Sequence, residues 1–212
     1  AFTPDAVLGA AKVVAALDSN VPAPPGAPVL DIADIDLTVE TDDPLLEMAA
    51  AEPDETLRAL GTNVAQLVAD GDTIEMGIGT APAAILAALS RHSDFGIHTG
   101  LLSDSGIALI EAGVATGAKK NIDRGRAVTG LAIGTERLYR YLAAGGDGID
   151  LRPVSYTHDP EVLGRIENFR AINTVIEIDL FGQGNGETIR GKQVSGTGGL
   201  ADFVRAARRG PG

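Results

Sequence analysis

The sequence predicts an α/β domain: an open, mainly parallel sheet with flanking helices. Three observations lead there. From Thr73 onward, short strand-like runs alternate with helix-periodic ones, at link lengths that suit parallel strands joined by right-handed crossovers. The 212 residues are 44% apolar but only 4% aromatic, with no Trp, so the core must be aliphatic, as in a buried parallel sheet. Glycine-rich turns fall at strand ends, where open α/β sheets bind ligands.

Thr3 to Leu17 reads as a helix. Thr3 can cap it, Pro4 suits its first turn, and Val7, Leu8, Ala11, Val14 and Ala15 form one stripe. The proline-rich run from Val21 to Pro28 reads as a stiff loop. Asp31 to Glu40 alternates apolar and acidic residues, a strand pattern, and Glu55 to Ala69 repeats Leu57, Leu60, Val64, Leu67 and Val68 at helical spacing. Acids and prolines cluster between Thr41 and Pro53, which sets a domain boundary: residues 1–50 as the end of one domain with its linker, 51–212 as a second.

Within the second domain, strands are expected at Thr73–Ile78, Phe95–Thr99, Arg126–Ile133, Leu151–Val154 and Ala171–Leu180. Helices are expected at Pro82–His92, Asp104–Ala112, Thr135–Ala144 and Asp159–Ile166. The first residue is not Met and the chain stops at Arg-Arg-Gly-Pro-Gly, so both ends read as cuts.

Composition excludes several classes. A formal charge of −12 argues against nucleic acid as the main partner. No apolar run approaches the roughly 18 residues of a membrane span, and Asp5 and Lys12 interrupt any signal-peptide pattern. The absence of Cys removes disulfides and thiolate metal sites and fits a reducing cytoplasm. His92, His98 and His158 lack metal-ligand spacing, so no metal is expected.

Three loops can carry chemistry. Gly77-Ile78-Gly79-Thr80-Ala81 joins a strand to a helix, whose first N–H groups suit an anion. It is neither a dinucleotide fingerprint, since Pro82 stands at the third glycine, nor a Walker loop. His98, Ser103 and Asp104 suggest a serine nucleophile with its base, yet no nucleophile elbow is present and Ser103 and Asp104 read as caps of the next helix. Last, Gly196, Gly198 and Gly199 precede Asp202 at a helix start and offer backbone donors for a phosphate or an oxyanion. Upstream, Glu177 and Asp179 lie at strand spacing on one face, as acid/base residues or as polar residues at a strand end.

Taken together, LDIADIDLTVETDDPLLE, GDTIEMGIGTAPAAILAAL, FGIHTGLLSDSGIALIEAGVATGAKKNIDRGRAVTG, RPVSYTHDP, AINTVIEIDLFGQ and SGTGGLADFVRAA resemble, in order, the acetyl-CoA hydrolase/transferase family. The resemblance covers nearly the whole chain. It implies that Gly77 to Ala81 contact coenzyme A and that the amides of Gly196, Gly198 and Gly199 face the thioester oxygen. It also implies attack by a glutamate carboxylate, giving an anhydride and then a glutamyl-CoA thioester. That glutamate belongs to an Ile-His-Thr-Glu segment, which here reads Ile97-His98-Thr99-Gly100.

Three explanations stay open: acyl-CoA chemistry with water through another carboxylate (Glu177, Glu75 or Asp104), a non-catalytic CoA-binding subunit, or a transferase with an engineered or displaced nucleophile. A ligand-free structural subunit is the bland alternative. Coenzyme A is expected as substrate or ligand, with no tightly bound cofactor, in a homo- or hetero-oligomer where a second chain can supply the rest of the fold. Coenzyme A is itself polyanionic. Two basic clusters could meet its phosphates, Lys119, Lys120, Arg124 and Arg126, or Arg190, Lys192, Arg205, Arg208 and Arg209.

Overall fold

The computed structural model describes residues 2–210. Its first part is helix α1 (Thr3–Gly9), strand β1 (Val14–Asp18) and strand β2 (Leu37–Thr41). The helix expected through Leu17 stops at Gly9. Ala10 is already extended, and the β-branched pair Val13-Val14 enters a parallel pairing, Val14 opposite Leu37. The strand expected from Asp31 is likewise shorter. Asp31 instead caps a single 3-10 turn at Ile32–Asp34, accepting the Ala33 N–H at 2.9 Å. Residues 42–54 carry no helix or strand. They are tied to the second part where Tyr139 Oη donates to the Leu46 carbonyl at 2.8 Å.

The second part alternates as the sequence predicts: α2 (Glu55–Ala65), β3 (Thr73–Met76), α3 (Thr80–Ala88), β4 (Gly96–Leu102), α4 (Asp104–Glu111), β5 (Ala127–Ala132), α5 (Glu136–Ala143), β6 (Ile149–Leu151), α6 (Val154–Thr157), α7 (Pro160–Leu163) and β7 (Phe169–Ile172). After β7 come two small hairpins, β8 (Glu177–Ile178) with β9 (Gly184–Asn185) and β10 (Thr188–Ile189) with β11 (Lys192–Gln193), then α8 (Leu200–Ala207).

Five strands form one parallel sheet in the order β6-β5-β4-β3-β7. The expected open parallel sheet is borne out. Strand succession reverses between β3 and β7, and such a switch point opens a crevice at the carboxyl ends of its strands. The strand expected over Ala171–Leu180 is broken. β7 ends at Ile172, and Asp179 instead organises a turn, accepting the Phe181 and Gln183 N–H groups at 2.9 Å each.

The two faces of the sheet are covered differently. Ile74, Met76, Ile97, Ala127 and Ile149 meet Leu86, Ile107, Leu109, Leu138 and Leu142 of α3, α4 and α5 in an aliphatic core. On the other face, Phe169 packs with Leu163, Ile166, Phe203 and Ala206 around α7 and α8. Two helix starts lack a side-chain cap bond, at Ser103 against the expectation. Ser103 and Thr135 occupy N-cap positions without side-chain cap bonds; Asp104 instead accepts from the Thr135 N–H and hydroxyl, both at 2.8 Å. Asp104 thereby ties the α4 start to the β5–α5 turn.

Candidate functional site

The carboxyl ends of β3, β4 and β7 lie beside the switch point. Leaving β3, the chain passes through Gly77 and Ile78 to Gly79, which is the N-cap of α3 with φ of 112°. Only glycine adopts that conformation without strain. No atom would meet a Cβ built on Gly77 or Gly79, so both backbones border open space. A cavity of 280 Å³ lies over the turn, lined by Ala49, Gly79, Thr80, Ser103, Asp104 and Ile133. The unpaired N–H groups of the first α3 turn suit an anion there.

The second glycine loop leads into α8. Gly199 is the N-cap of that helix, and Gly198 has φ of 56°. Gly196 and Gly198 border open space, whereas Gly199 is crowded. A Cβ on Gly199 would lie 2.6 Å from His158 Nε2 and 2.7 Å from the Phe203 ring.

Gly100 belongs to β4, and its φ lies outside the left-handed region, so its backbone does not require glycine. Its surroundings are tight on one side. A Cβ there would lie 2.9 Å from His158 Cε1, 3.0 Å from His158 Nε2 and 3.6 Å from Phe203. Glycines at 100 and 199 thus make room for one imidazole. In the sequence His158 lacks metal-ligand spacing and carries no catalytic motif. Its sequence signal was weak, a His before Asp159-Pro160. Asp159 caps α7 by accepting the Glu161 N–H at 2.7 Å, which fixes the turn that presents the ring.

His98 is fully buried in β4, with its ring near Tyr156 and Phe169. Burial, with the Lys120 charge adding, drops its pKa to about 4, so the ring is neutral and Nε2–H donates to the Thr157 carbonyl at 3.3 Å. Nδ1 has no partner among the described residues. His98 therefore supports α6 from beneath. It forms no base–nucleophile pair with Ser103, and Asp104 is engaged with Thr135.

Three carboxylates were alternatives to a residue at position 100. Glu177 is exposed in the β8–β9 hairpin, where it accepts from Asn185 Nδ2 at 2.9 Å. Asp104 is held by Thr135. Glu75 differs. It is only 3% exposed and lies on β3, one residue beyond the Ile74–Ile97 pair with β4. Burial raises its pKa to about 7, opposed by the Asn173 amide, which donates at 2.7 Å.

The first basic cluster does not face this end of the sheet. Lys120 is buried and donates from Nζ to the carbonyls of Ile97 and Arg126 at 3.1 and 2.8 Å. Burial lowers its pKa to about 8. Arg126 pairs with Asp150 at 2.8 Å and Lys119 with Asp94 at 3.5 Å. In the second cluster, Arg190, Lys192, Arg205, Arg208 and Arg209 are exposed and make no ion pair among the described residues.

Comparison with known proteins agrees with this layout. The chain matches the model of the acetyl-CoA hydrolase/transferase C-terminal domain over residues 134–212. It is 35% identical over 206 residues to a 4-hydroxybutyrate coenzyme A transferase of Clostridium kluyveri, covering 97% of the chain and 48% of that relative. A succinyl-CoA:cyclohexane-1-carboxylate CoA transferase of Geobacter metallireducens is 35% identical over 207 residues, 98% of the chain and 47% of the relative. The crystal structure of a 4-hydroxybutyrate CoA-transferase from Porphyromonas gingivalis superposes with a TM-score of 0.85 at 34% identity, over 99% of this chain and 50% of that one. The chain spans about half the length of these relatives. With its parallel sheet, its two strand-end glycine loops and this likeness along nearly all its length, the chain belongs to the acetyl-CoA hydrolase/transferase family.

Proposed function

We propose that the chain contributes part of a site that acts on the thioester of an acyl-coenzyme A, and that the thioester is cleaved by water and not by a glutamate at position 100. The observation that carries this reading is steric. Gly100 has no nucleophile, and the space its side chain would need is taken by His158. In the proposed arrangement, Gly77, Ile78, Gly79, Thr80 and Ala81 receive the coenzyme A moiety at the α3 N-terminus. The amides around Gly196, Gly198 and Gly199 face the thioester oxygen, which gains negative charge as the carbonyl is attacked. The exposed cations Arg190, Lys192 and Arg205 give local attraction for a polyanion on a chain of net charge −12. Of the alternative carboxylates, Glu75 has the burial suited to a proton-transfer role.

The remaining part of the site comes from further polypeptide, in the same chain or a second one, within an oligomer. Exposed apolar residues favour this. Leu180 and Phe181 are 104% and 90% exposed, and Val14, Leu37 and Val39 of the two-stranded sheet are also exposed.

Incubating the full polypeptide, with any second chain that purifies with it, with acetyl-CoA in ¹⁸O-water and no carboxylate acceptor tests the reading. Free CoA, ¹⁸O in the acetate and no CoA adduct on the chain are expected. Efficient ping-pong transfer with covalent CoA mapped to Glu177 or another carboxylate overturns it. A second reading, a CoA-binding subunit without turnover, is favoured by the same empty position 100. It predicts CoA binding by calorimetry with no thioester cleavage in the complete assembly.

A further inference from the structure

His158 is placed for chemistry by contacts that its packing alone does not require. It follows α6, whose last carbonyl, that of Thr157, is fixed from below by His98 at 3.3 Å. Its Nδ1 lies 2.8 Å from Thr157 Oγ1, and that hydroxyl also lies 3.3 Å from the Pro153 carbonyl. With the hydroxyl proton on the Pro153 carbonyl, which also accepts the Tyr156 and Thr157 N–H groups at 3.0 Å each, the hydroxyl oxygen accepts Nδ1–H. The tautomer with Nδ1–H, the one the base below uses, leaves a lone pair on Nε2. The Phe203 ring, its centroid 4.6 Å away, packs against the imidazole. Nε2 is the atom that would lie 3.0 Å from a Cβ at Gly100 and 2.6 Å from one at Gly199. It therefore sits between Gly100, the strand position where the resemblance expects a nucleophile, and the loop proposed to face the thioester oxygen.

We propose that His158 is the general base of this chain's reaction, with Nε2 taking a proton from the water that attacks the thioester carbonyl. The inference rests on the hydrolytic reading above. As the water oxygen bonds to the carbonyl carbon, its proton passes to Nε2. Collapse of the tetrahedral intermediate breaks the C–S bond, and Nε2–H returns the proton to the departing CoA sulfur. One acyl-CoA and one water give one carboxylic acid and one CoA thiol, with no oxidant or further reactant. Burial holds the His158 pKa below the usual histidine value against the attraction of Asp202, so the free ring is neutral near pH 7 and available as a base.

The test uses the full polypeptide with any second chain it purifies with, acetyl-CoA and butyryl-CoA as substrates, and release of free thiol as the readout. His158→Asn and His158→Ala are expected to lower kcat by about 100-fold, the usual scale of a lost general base. Their affinity for CoA, measured by calorimetry, should stay within about twofold, since the base touches the attacking water and not CoA. Imidazole added to the buffer should restore part of the His158→Ala rate, which repair of a fold defect cannot mimic. A His158→Asn protein that keeps kcat within a few-fold overturns the assignment and leaves the hydrolytic reading intact. A wild-type assembly that cleaves no thioester, or only passes CoA to a second carboxylate, overturns the hydrolytic reading and the base with it.

Discussion

The two faces of the sheet are built from the same five strands and answer to different demands. Under α3, α4 and α5 the strands present Ile74, Met76, Ile97, Ala127 and Ile149, a face sealed by aliphatic side chains. Under α6, α7 and α8 the same strands present Glu75, His98 and Gly100, and the helices answer with His158, Tyr156 and Phe203. Alternation along a strand separates the two sets, because successive side chains point to opposite faces. One face can therefore be optimised for packing while the other holds groups that cost stability. Burying a titratable group is unfavourable unless its neutral form is kept, and Glu75 and His98 both have pKa values moved toward the neutral form by burial.

The largest expected effect lies on the aliphatic face. Ile107 is 1% exposed, and Ile107→Ala should cost about 2–5 kcal/mol of stability through lost burial and a residual cavity. Denaturant unfolding measures this, and CoA affinity of the folded protein should not change. A matching loss of affinity would break the division between faces.

Next is the pH dependence of Glu75. Its proton is held more tightly in the folded chain, with pKa raised from 4.5 to about 7, than in the unfolded one. Its contribution is thus full below pH 4.5 and is lost as pH rises through about 7, roughly 3 kcal/mol at about 1.4 kcal/mol per unit. Glu75→Gln keeps an acceptor for Asn173 and removes the titration. The variant should gain on the wild type by that amount between pH 4 and pH 8 in thermal or denaturant unfolding; a constant difference refutes the burial argument.

Gly100→Glu should reduce acetyl-CoA hydrolysis about 100-fold, since its Cβ would lie 2.9 Å from the His158 ring and must displace it. Because the backbone at Gly100 is open to other residues, the obstacle is the imidazole alone. Pairing Gly100→Glu with His158→Gly relieves that contact, and mass spectrometry of the double variant reads whether a CoA adduct forms.

Smaller again is Gly79→Val. A valine at φ of 112° is strained by about 1–3 kcal/mol and closes the approach over the α3 N-terminus, so CoA should bind roughly tenfold more weakly. Binding undiminished by calorimetry places CoA elsewhere. The smallest effect expected is a few-fold, salt-dependent weakening from Arg190→Ala with Lys192→Ala, as both side chains are exposed.

By itself the sequence determined the alternation of strands and helices from Thr73 to Ile172, because periodicity and turn residues are local signals. It also determined the family and the two glycine loops, each readable as a motif in order. Local signals misled where pairing decides. Val14 and Ala15 continue a helical stripe yet lie in a strand because Leu37 to Thr41 runs beside them, and Val175 to Leu180 has a strand pattern yet folds into a hairpin turned by Asp179.

Only the tertiary structure decided which charged groups are engaged within the fold and which stay at the surface. Lys120 is consumed by two carbonyls at the start of β4 and β5, while Arg190 and Lys192 remain exposed. Only it brought His158, 58 residues from Gly100 and 41 from Gly199 by subtraction of their positions, between those two glycines. No periodicity encodes that meeting. It follows from strand order, which sets β4 beside β3 and lays α6 and the α8 loop over the same strand ends, so that two missing side chains become room for a third.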